Sequence, residues 1–505
     1  MELGEEVNIV LNTNSVEQLS LFDFKSKSQS KELGQFFTEP TTANYMASML
    51  HAIGNVELVK ILDAGAGEGI LTISAARRCL KLGNRRVHAV LFELDTGILS
   101  ALEKNMDRLV KTFISNGGKF SYEILNENFI LSRPDKHERN FHISIINPPY
   151  FKYNSKSSVY SGATADLFKG NPNIYASFMA VVSSCLVSGG QMVAIVPRSF
   201  TNGLYFKGFR NYLQSNMSIE RVHIFRSRNR LFKNRGVLQE NIICKFVKCE
   251  QQPTIEICSS ACSNDLAEAE VVRYPQKLII DGDDLHNIVR IPESAADGHI
   301  LRLVEDWPSR FEESNYYIST GPVVEFRTRE FITAKVRKDS IPLLRMHNVK
   351  AFRIEWTGKH WKDVWFILKE GHEKHTCSNK VYVILKRFSS KDEKRRLVAG
   401  IYDPKQFKDH LIGLENHLNY IGVKGEDMDL VEAFGLAALF NSTLMDRYFR
   451  SISGNTQVNA TEIRLLKLPT RDQIISIGKE MQGTNVYEQS TVDKIVQSAL
   501  NIRDL

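Results

Sequence analysis

Four consecutive residues, Asn147-Pro148-Pro149-Tyr150, carry the groups needed to bind a planar amino group. Asn147 offers a side-chain carbonyl, Pro148 offers a backbone carbonyl, and Tyr150 offers a flat aromatic face. The two carbonyls could accept both amino protons while the tyrosine ring stacks on the ring system that carries the amine. An ordinary polar turn is the alternative, because asparagine and proline are common turn residues. A cofactor site upstream would decide between these interpretations.

The apolar run Phe141–Ile146, directly before these four residues, predicts a buried strand. Two successive prolines cannot extend the hydrogen-bond ladder of a sheet, so the strand must end there and open into a loop. In an open α/β sheet, ligands bind beside the carboxyl ends of the strands. We therefore expect Asn147-Pro148-Pro149-Tyr150 to face an active-site cleft.

A glycine-rich turn, Asp63-Ala64-Gly65-Ala66-Gly67-Glu68-Gly69, lies upstream between a predicted strand and a predicted helix. Glycines at alternate positions let the backbone turn tightly and approach a ligand closely. The spacing differs from the G-x-G-x-x-G of dinucleotide-binding folds, and Asp63 and Glu68 would repel a pyrophosphate. The acidic flanks suit a ligand that carries an amine and a sulfonium cation. A plain tight turn is the alternative.

Two more strand ends complete the predicted cofactor site. After the second strand, the Glu93 carboxylate can accept hydrogen bonds from both hydroxyls of a ribose, with Leu94 beside it. After the third, Asn128 could bond to an adenine amino group while Phe129 packs on the ring face. A surface acid that ends a strand is the alternative for Glu93, and an ordinary loop asparagine is the alternative for Asn128.

The glycine loop, the Glu93 carboxylate and Asn-Pro-Pro-Tyr, in this order, resemble the adenosylmethionine-dependent amino methyltransferases. The segment Lys31–Pro40 resembles the cover segment of the gamma class of adenine-N6 DNA methyltransferases, the modification enzymes of many restriction–modification systems. In that family this segment covers the methionine moiety of the cofactor. The resemblance implies that Phe37 and Thr38 contribute to the cofactor site. It extends over residues 31–250 and departs at Asn128, where the family often has aspartate.

The resemblance implies S-adenosyl-L-methionine as cofactor and double-stranded DNA as partner, with the target adenine flipped out of the duplex. It also places Phe232 against the extruded base; a core position is the alternative. The basic run around Phe232 would bind phosphates beside the site, and a solvated charged face is the competing view. The basic residues proposed for these contacts are Arg228, Arg230 and Lys233.

Strand and helix patterns alternate from about residue 42 to 250. They predict an α/β fold: a Rossmann-like class I adenosylmethionine-dependent methyltransferase sheet, largely parallel, with helices on both faces. We assign residues 1–30 to a polar N-terminal arm, 31–250 to the catalytic domain and 251–505 to a mixed α+β target-recognition domain. A late helix is predicted over Leu430–Phe449.

Two basic clusters in the C-terminal region, with aromatic residues among them, predict contacts to DNA bases and phosphates. For any single residue in these clusters, a solvated surface charge is the alternative. The DNA-contacting residues proposed are Arg327 and Arg329 in the first cluster, and Lys386 and Arg387 in the second.

The composition sets wider limits. A chain of 505 residues is long enough for two or three domains. Its 65 basic and 58 acidic residues leave a net charge of +7, which permits a polyanionic partner without requiring one. Seven cysteines, an odd number, favour buried thiols in a reducing compartment over disulfides or a metal site. We expect a prokaryotic cytoplasmic protein with no membrane contact, a monomer or weak dimer, with a separate cognate restriction endonuclease as candidate partner.

Three other functions stay open. An RNA adenine methyltransferase would use the same chemistry on structured RNA. A protein glutamine methyltransferase also binds an amide nitrogen with Asn-Pro-Pro-Tyr, but it lacks the Phe-Phe-Thr cover segment and is usually much shorter. A non-catalytic DNA-binding scaffold is disfavoured, because both the glycine loop and Asn147-Pro148-Pro149-Tyr150 are intact.

Overall fold

The computed structural model describes residues 38–502, except 55, 138–139, 154–157, 171–172, 226–239, 250–251, 263–264, 281–285, 370, 372, 390–392, 455 and 485. The chain divides into two compact units, Met1–Ser294 and Ala295–Leu505. The division falls later than the predicted boundary at residue 250, because two strands beyond that residue hydrogen-bond to the sheet of the first unit.

The first unit is an α/β structure built on one sheet. Within its described part the sheet has nine strands: β1 (Val59–Ala64), β2 (Arg86–Phe92), β3 (Lys119–Leu125), β4 (Phe141–Ile146), β5 (Leu186–Pro197), β6 (Ser218–Phe225), β7 (Asn241–Val247), β8 (Thr254–Ser260) and β9 (Glu270–Pro275). Its helices are α1 (Pro40–Ser48), α2 (Ile70–Lys81), α3 (Leu99–Ser115), α4 (Phe129–Ser132), α5 (Val159–Ala163), α6 (Ile174–Cys185), α7 (Lys207–Asn216) and α8 (Gln276–Ile279).

The strands lie in the order β3-β2-β1-β4-β5-β7-β6-β8-β9. Neighbours from β3 to β5 are parallel, whereas β7 inserts antiparallel between β5 and β6. The chain order reverses between β1 and β4, and this reversal opens a crevice at the carboxyl ends of the parallel strands. The predicted Rossmann-like methyltransferase sheet is confirmed.

The core of the first unit explains why these strands form. β4 and the second half of β5 (192–197) are nearly continuous apolar runs, as expected for strands that are buried on both faces. Ile61 on β1 is the register partner of Ile143 on β4, Ile145 on β4 is the register partner of Val193 on β5, and all four are buried in the main cluster. Helix α2 begins after Gly69, whose φ of 85° is readily available only to glycine.

The second unit mixes short strands with helices. Its strands are β10 (Ser309–Arg310), β11 (Tyr316–Thr320), β12 (Ile332–Thr333), β13 (Ser340–Leu344), β14 (Val349–Lys350), β15 (Arg353–Ile354), β16 (Val364–Ile367), β17 (Cys377–Ser378), β18 (Tyr382–Lys386), β19 (Ala399–Tyr402), β20 (Leu411–Leu414), β21 (Leu418–Val423) and β22 (Lys467–Leu468). Its helices are α9 (Ala295–Glu305), α10 (Leu430–Asn441), α11 (Thr443–Ile452), α12 (Ala460–Arg464), α13 (Arg471–Thr484) and α14 (Gln489–Ala499).

The larger sheets of this unit, among its described residues, have the orders β11-β21-β18-β19 and β12-β16-β13-β20-β17. The single helix predicted over Leu430–Phe449 is two helices, because the Ser442 hydroxyl accepts a hydrogen bond from the Met445 N–H and caps α11. Helices α10 and α13 pack closely: a Cβ added at Gly435 or Gly478 would collide with a backbone carbonyl of the facing helix.

Candidate cofactor and amino-group site

A cavity in the first unit opens where β1, β2, β3 and β4 end. Its wall includes residues that follow each of these strands, so the sheet brings together segments that are far apart in sequence. The predicted site residues that line it are Gly65, Gly67, Glu93, Leu94, Asn128, Phe129, Asn147 and Pro149. The structure therefore brings these eight residues together at one edge of the sheet.

The glycine loop is fixed to the end of β2. The N–H groups of Gly65 and Ala66 both donate to the carbonyl of Phe92, at 2.9 Å each. Gly65 and Gly67 have φ values of 117° and 56°, which residues other than glycine rarely adopt. A Cβ at Gly65 would stand 3.9 Å from the ring of Phe178 and so would narrow the cavity.

Glu93 joins the loop to its own strand end. One carboxylate oxygen accepts from the Gly67 N–H at 2.8 Å, and the other accepts from the Asp95 N–H at 2.7 Å. The side chain is buried, and this burial raises the pKa of Glu93 above its usual value while the backbone donors oppose the rise. Each carboxylate oxygen keeps further lone-pair capacity, so the group can also accept from a ligand hydroxyl.

Asp63, at the end of β1, has an unsatisfied oxygen. Its Oδ2 accepts from the Thr72 hydroxyl at 2.6 Å, whereas its buried Oδ1 has no hydrogen-bond partner among the described residues. Burial raises the pKa of Asp63 from 3.8 to about 7, and the nearby Glu93 charge adds to the rise. A buried carboxylate with one unmatched oxygen is a good receptor for a cation or an N–H donor.

Aromatic side chains form the apolar part of the wall. Phe129 contacts Phe92 edge-on, with ring centroids 5.1 Å apart, and lies 5.4 Å from Phe178. Asn128 differs from its predicted role: its Oδ1 accepts from the Ile130 and Leu131 N–H groups and so caps α4, while its Nδ2 donates to the Tyr160 hydroxyl. Its amide is engaged in local structure at the edge of the cavity.

Asn147 and Tyr150 form a hydrogen-bonded pair after β4. The Tyr150 hydroxyl lies 2.7 Å from Asn147 Oδ1 and 2.8 Å from the carbonyl oxygen of Ile195 on β5. It has one proton for these two acceptors. Burial raises the pKa of Tyr150 well above its usual value, so the hydroxyl stays protonated at neutral pH. Of the two prolines that separate Asn147 from Tyr150 in sequence, Pro148 is buried and Pro149 lines the cavity.

Thr38, just before α1, determines the orientation of the Asn147 amide. The Asn147 Nδ2 donates to the Thr38 hydroxyl at 3.0 Å, which turns Oδ1 toward Tyr150. The cofactor contact that the resemblance implied for Thr38 stays a prediction, and the structure shows a link between Thr38 and Asn147. Phe37, its predicted companion, lies outside the described residues.

Several wall residues were not predicted from the sequence: Ile98, Phe151, Tyr160, Ile174 and Phe178. Arg133 also supports the site, because its guanidinium binds Asp135 and Asp166 and donates to the carbonyl of Ala163. These bonds join α4 to the segment that carries Tyr160. The largely apolar sequence of α6 is typical of a buried helix, but it does not show that the Phe178 ring lines a ligand cavity.

Comparisons with known proteins agree with this geometry. The family model described as Eco57I restriction-modification methylase matches residues 73–232. The type II methyltransferase M.BsuBI of Bacillus subtilis is 35% identical over 486 residues, which cover 94% of this chain and 95% of the relative. The chain belongs to the type II restriction–modification methyltransferases. The family predicted from the sequence is thus confirmed.

Two further comparisons extend this result. The type II methyltransferase M.PstI of Providencia stuartii is 31% identical over 479 residues, with 93% of each chain covered. Among solved structures, the type IIL restriction-modification enzyme MmeI in complex with DNA has a TM-score of 0.53 at 11% identity. That match covers 88% of this chain and 71% of the MmeI chain, and it shows a shared fold.

The remaining predicted residues of this methyltransferase fall into two groups. Arg228, Arg230, Phe232 and Lys233 lie outside the described residues. In the second unit, Arg327 and Arg329 are exposed. Lys386 is half-buried near Lys350, and its burial is the main reason why its pKa is lowered. The guanidinium of Arg387 donates to the carbonyl of Asn416 and to Asn459. Arg387 therefore bonds to other residues of the second unit.

Two expectations from composition concern metals and membranes. The seven cysteines are free thiols, and six of them are buried. In the second unit, His347, His360 and Asp363 bring their ligand atoms within 4.8 Å of one another. Asp363 already accepts hydrogen bonds from His347, Asn348 and the Gly358 N–H. These bonds explain why Asp363 lies close to the histidines. In the part of the chain that the structure describes, no helix has the length and apolarity needed to cross a bilayer.

Proposed function

We propose that this methyltransferase transfers a methyl group from S-adenosyl-L-methionine to the N6 amino group of an adenine in double-stranded DNA. The observation that carries the proposal is the position of Asn147. Its amide follows β4, lines the same cavity as the glycine loop and Glu93, and is oriented by Thr38. A planar amino group in this cavity would meet the acceptor pair formed by Asn147 and Pro148.

The residues around the cavity fit adenosylmethionine. Glu93 is suited to the ribose hydroxyls, and Phe129 and Phe178 are suited to a flat purine ring. Asp63 is buried at the end of β1 and is not among the residues that line the cavity, but its unmatched Oδ1 is suited to the positively charged end of a ligand that reaches it. When bound, the cofactor supplies a methyl group activated by a sulfonium.

The protein's own part in the reaction centres on the single proton of the Tyr150 hydroxyl. The Tyr150 hydroxyl can donate this proton to the Ile195 carbonyl instead of Asn147 Oδ1, and the lone pairs of Asn147 Oδ1 can then accept from a substrate amine. Acceptance of both amino protons, by Asn147 Oδ1 and the Pro148 carbonyl, makes the nitrogen lone pair available as a nucleophile. The same oxygens stabilise the positive charge that develops on the nitrogen as it takes the methyl group. The resulting methylated ammonium is acidic and releases one proton to solvent, so no strong base is required.

The substrate assignment rests on the family and on base geometry. An adenine inside a duplex cannot reach an enclosed cavity, so it must be flipped out of the stack. The Tyr150 ring would then replace part of the lost stacking, an effect worth roughly 1–3 kcal/mol per base in single-strand binders. The type II methyltransferases related to this chain support a role as the modification enzyme of a restriction–modification system, with a separate cognate endonuclease as partner.

Sequencing of DNA from cells that express the protein, with detection of modified bases, tests this proposal. We expect N6-methyladenine confined to one short repeated motif in cells with the wild-type protein, and none in cells with the Asn147→Ala variant. Modified cytosine, or no modified base, would contradict the proposal. Purified protein with labelled cofactor, offered duplex DNA, structured RNA and protein substrates in parallel, separates the remaining alternatives.

A further inference from the structure

We propose that two turns of the second unit, Phe326-Arg327 and Trp361-Lys362, are direct contact points for duplex DNA. This inference rests on the proposed function and assigns a DNA surface within the second unit. We call these segments the two aromatic–cation turns. In each, an exposed aromatic ring is followed directly by a cation that lies over the face of that ring.

The exposure of these rings points to a partner. Phe326 is 78% exposed and Trp361 is 80% exposed, the highest values among the large apolar side chains of the described residues. Contact between water and an exposed apolar ring of this size is unfavourable in the free protein. Such rings concentrate at binding surfaces. Arg327 lies 5.3 Å from the Phe326 ring centroid, and Lys362 lies 4.8 Å from that of Trp361.

The Trp361 turn is preorganised. The imidazole of His360 stacks on the indole with centroids 5.9 Å apart, and His347 stacks on His360 at 5.3 Å. His347 is bonded in turn to the buried Asp363 at 3.0 Å. Asp363 also accepts from the N–H of Gly358, which closes the loop that carries Trp361. Little conformational entropy would be lost when the indole contacts a ligand.

A single guanidinium connects the two turns. Arg345 Nε lies 2.5 Å from a carboxylate oxygen of Glu325, the residue before Phe326. Arg345 Nη1 donates at 3.2 Å to the carbonyl of Lys362. The two aromatic–cation turns are thus attached to one side chain and form one surface.

The charge of this surface selects its partner. The segment from residue 326 to 338 has five basic residues and one acidic residue, and 359–362 has two basic residues and no acid. A protein partner would call for a mainly apolar patch with few charges at its centre. A ring that can stack on or wedge beside a base, next to a cation that can bind a phosphate, suits DNA.

Binding of duplex DNA to the full-length protein tests the inference. The duplex carries the motif found by sequencing, and a scrambled duplex of equal length measures non-specific binding. We expect Trp361→Ala and Phe326→Ala each to weaken binding about tenfold. Trp361→Phe should stay within about threefold of wild type, because it keeps a ring. Lys362→Ala should reduce the slope of log K against log salt by about one.

Matched controls are available on other surfaces. Ile114 on α3 is 66% exposed, and Lys479 on α13 is exposed. Ile114→Ala and Lys479→Ala should bind DNA as wild type does. Cofactor affinity and thermal midpoint should be unchanged in every variant; if Trp361→Ala is unstable, Trp361→Phe and Lys362→Ala still decide the outcome through binding and salt slope.

The possible outcomes separate this inference from the proposed function. Wild-type affinity and salt slope in the turn variants, with normal adenine methylation, would overturn the inference alone. Loss of self-association or of a protein partner, with DNA binding intact, would overturn it in favour of a protein interface. If the wild-type protein methylates no adenine, the proposed function fails, whereas DNA binding that depends on Trp361 would still support the surface.

Discussion

The two units place their functional residues in different ways. In the first, Asp63 lies at the end of a parallel strand and Glu93 and Asn147 directly follow two others, so the register of the sheet fixes their positions. In the second, Phe326 and Trp361 lie on turns beside short strands, and side-chain hydrogen bonds fix them. Chemistry is thereby tied to the core of the fold, whereas the proposed DNA surface can change residue by residue without disturbing a sheet.

The sharpest test of this separation is Asn147→Ala. We expect methyl transfer to fall at least 100- to 1,000-fold, because one of two acceptors that stabilise the developing charge is removed. Cofactor binding and DNA binding should both remain near wild type. Radiolabelled methyl transfer, calorimetry and duplex binding measure the three quantities. Full transfer by the variant would remove Asn147 from the reaction, and Asn216→Ala, on the exposed end of α7, is the control.

A second test uses the pH dependence of Asp63. Its pKa in the folded protein is about 7, above the value of 3.8 expected when unfolded. The stability that the neutral carboxyl contributes is therefore present below pH 4 and lost as pH rises through 7. Cofactor-free Asp63→Asn should show a weaker decline of thermal midpoint between pH 5 and 8 than wild type.

Cofactor affinity should respond to Asp63 in the opposite sense. The ionised carboxylate is the form that binds a cation, so wild-type affinity should decrease as pH falls below 7. Asp63→Asn should bind the cofactor roughly 10- to 100-fold more weakly at pH 8 and lose this pH dependence. Titration calorimetry at four pH values provides the measurement. Identical profiles for variant and wild type would place the cation elsewhere, and DNA binding by the second unit should not change.

Thr38→Val should have a smaller effect. Loss of the hydroxyl removes the bond that orients the Asn147 amide, and we expect the single-turnover rate to fall about tenfold. Thr38→Ser keeps the hydroxyl and should retain most of the rate. A loss in Thr38→Ser with a normal rate in Thr38→Val would show that the methyl group of Thr38, not its hydrogen bond, is what matters.

The smallest expected effect concerns Asp166→Asn. This change weakens one of the two ion pairs of Arg133 and leaves the pair with Asp135 in place. The segment that carries Tyr160 should then lie less firmly against α4, and we expect cofactor affinity to fall about threefold. Titration calorimetry detects this change. Unaltered affinity would show that Asp135 and the Ala163 carbonyl are enough to fix Arg133.

Sequence reasoning recovered the first unit better than the second, for a physical reason. Buried strands such as β4 appear as apolar runs, and loops at their ends carry the unusual residues. This is why Glu93 and Asn147 could be placed at one edge in advance. The cap formed by Asn128 and the ring of Phe178 depend on side-chain packing between distant segments, which a periodic pattern does not record.

In the second unit the sequence signal is weaker. Short strands leave little periodicity, so the two basic clusters could be seen but not their contacts. Arg387 looked equivalent to Arg327, yet the first bonds inside the unit and the second is exposed. The break between α10 and α11 did carry a signal, since Asn441-Ser442-Thr443 is a typical helix start.

The close packing of α10 on α13 has a practical consequence for exchanging recognition regions between related enzymes. At Gly435 and Gly478 the two backbones approach so closely that neither position accepts even an alanine without moving a helix. In a chimaera whose junction falls between these helices, the two positions come from different parents, and a parent without glycine at its position would supply a side chain that collides with the facing helix. The α10–α13 pair should therefore be transplanted as one piece, with junctions placed outside residues 430–484.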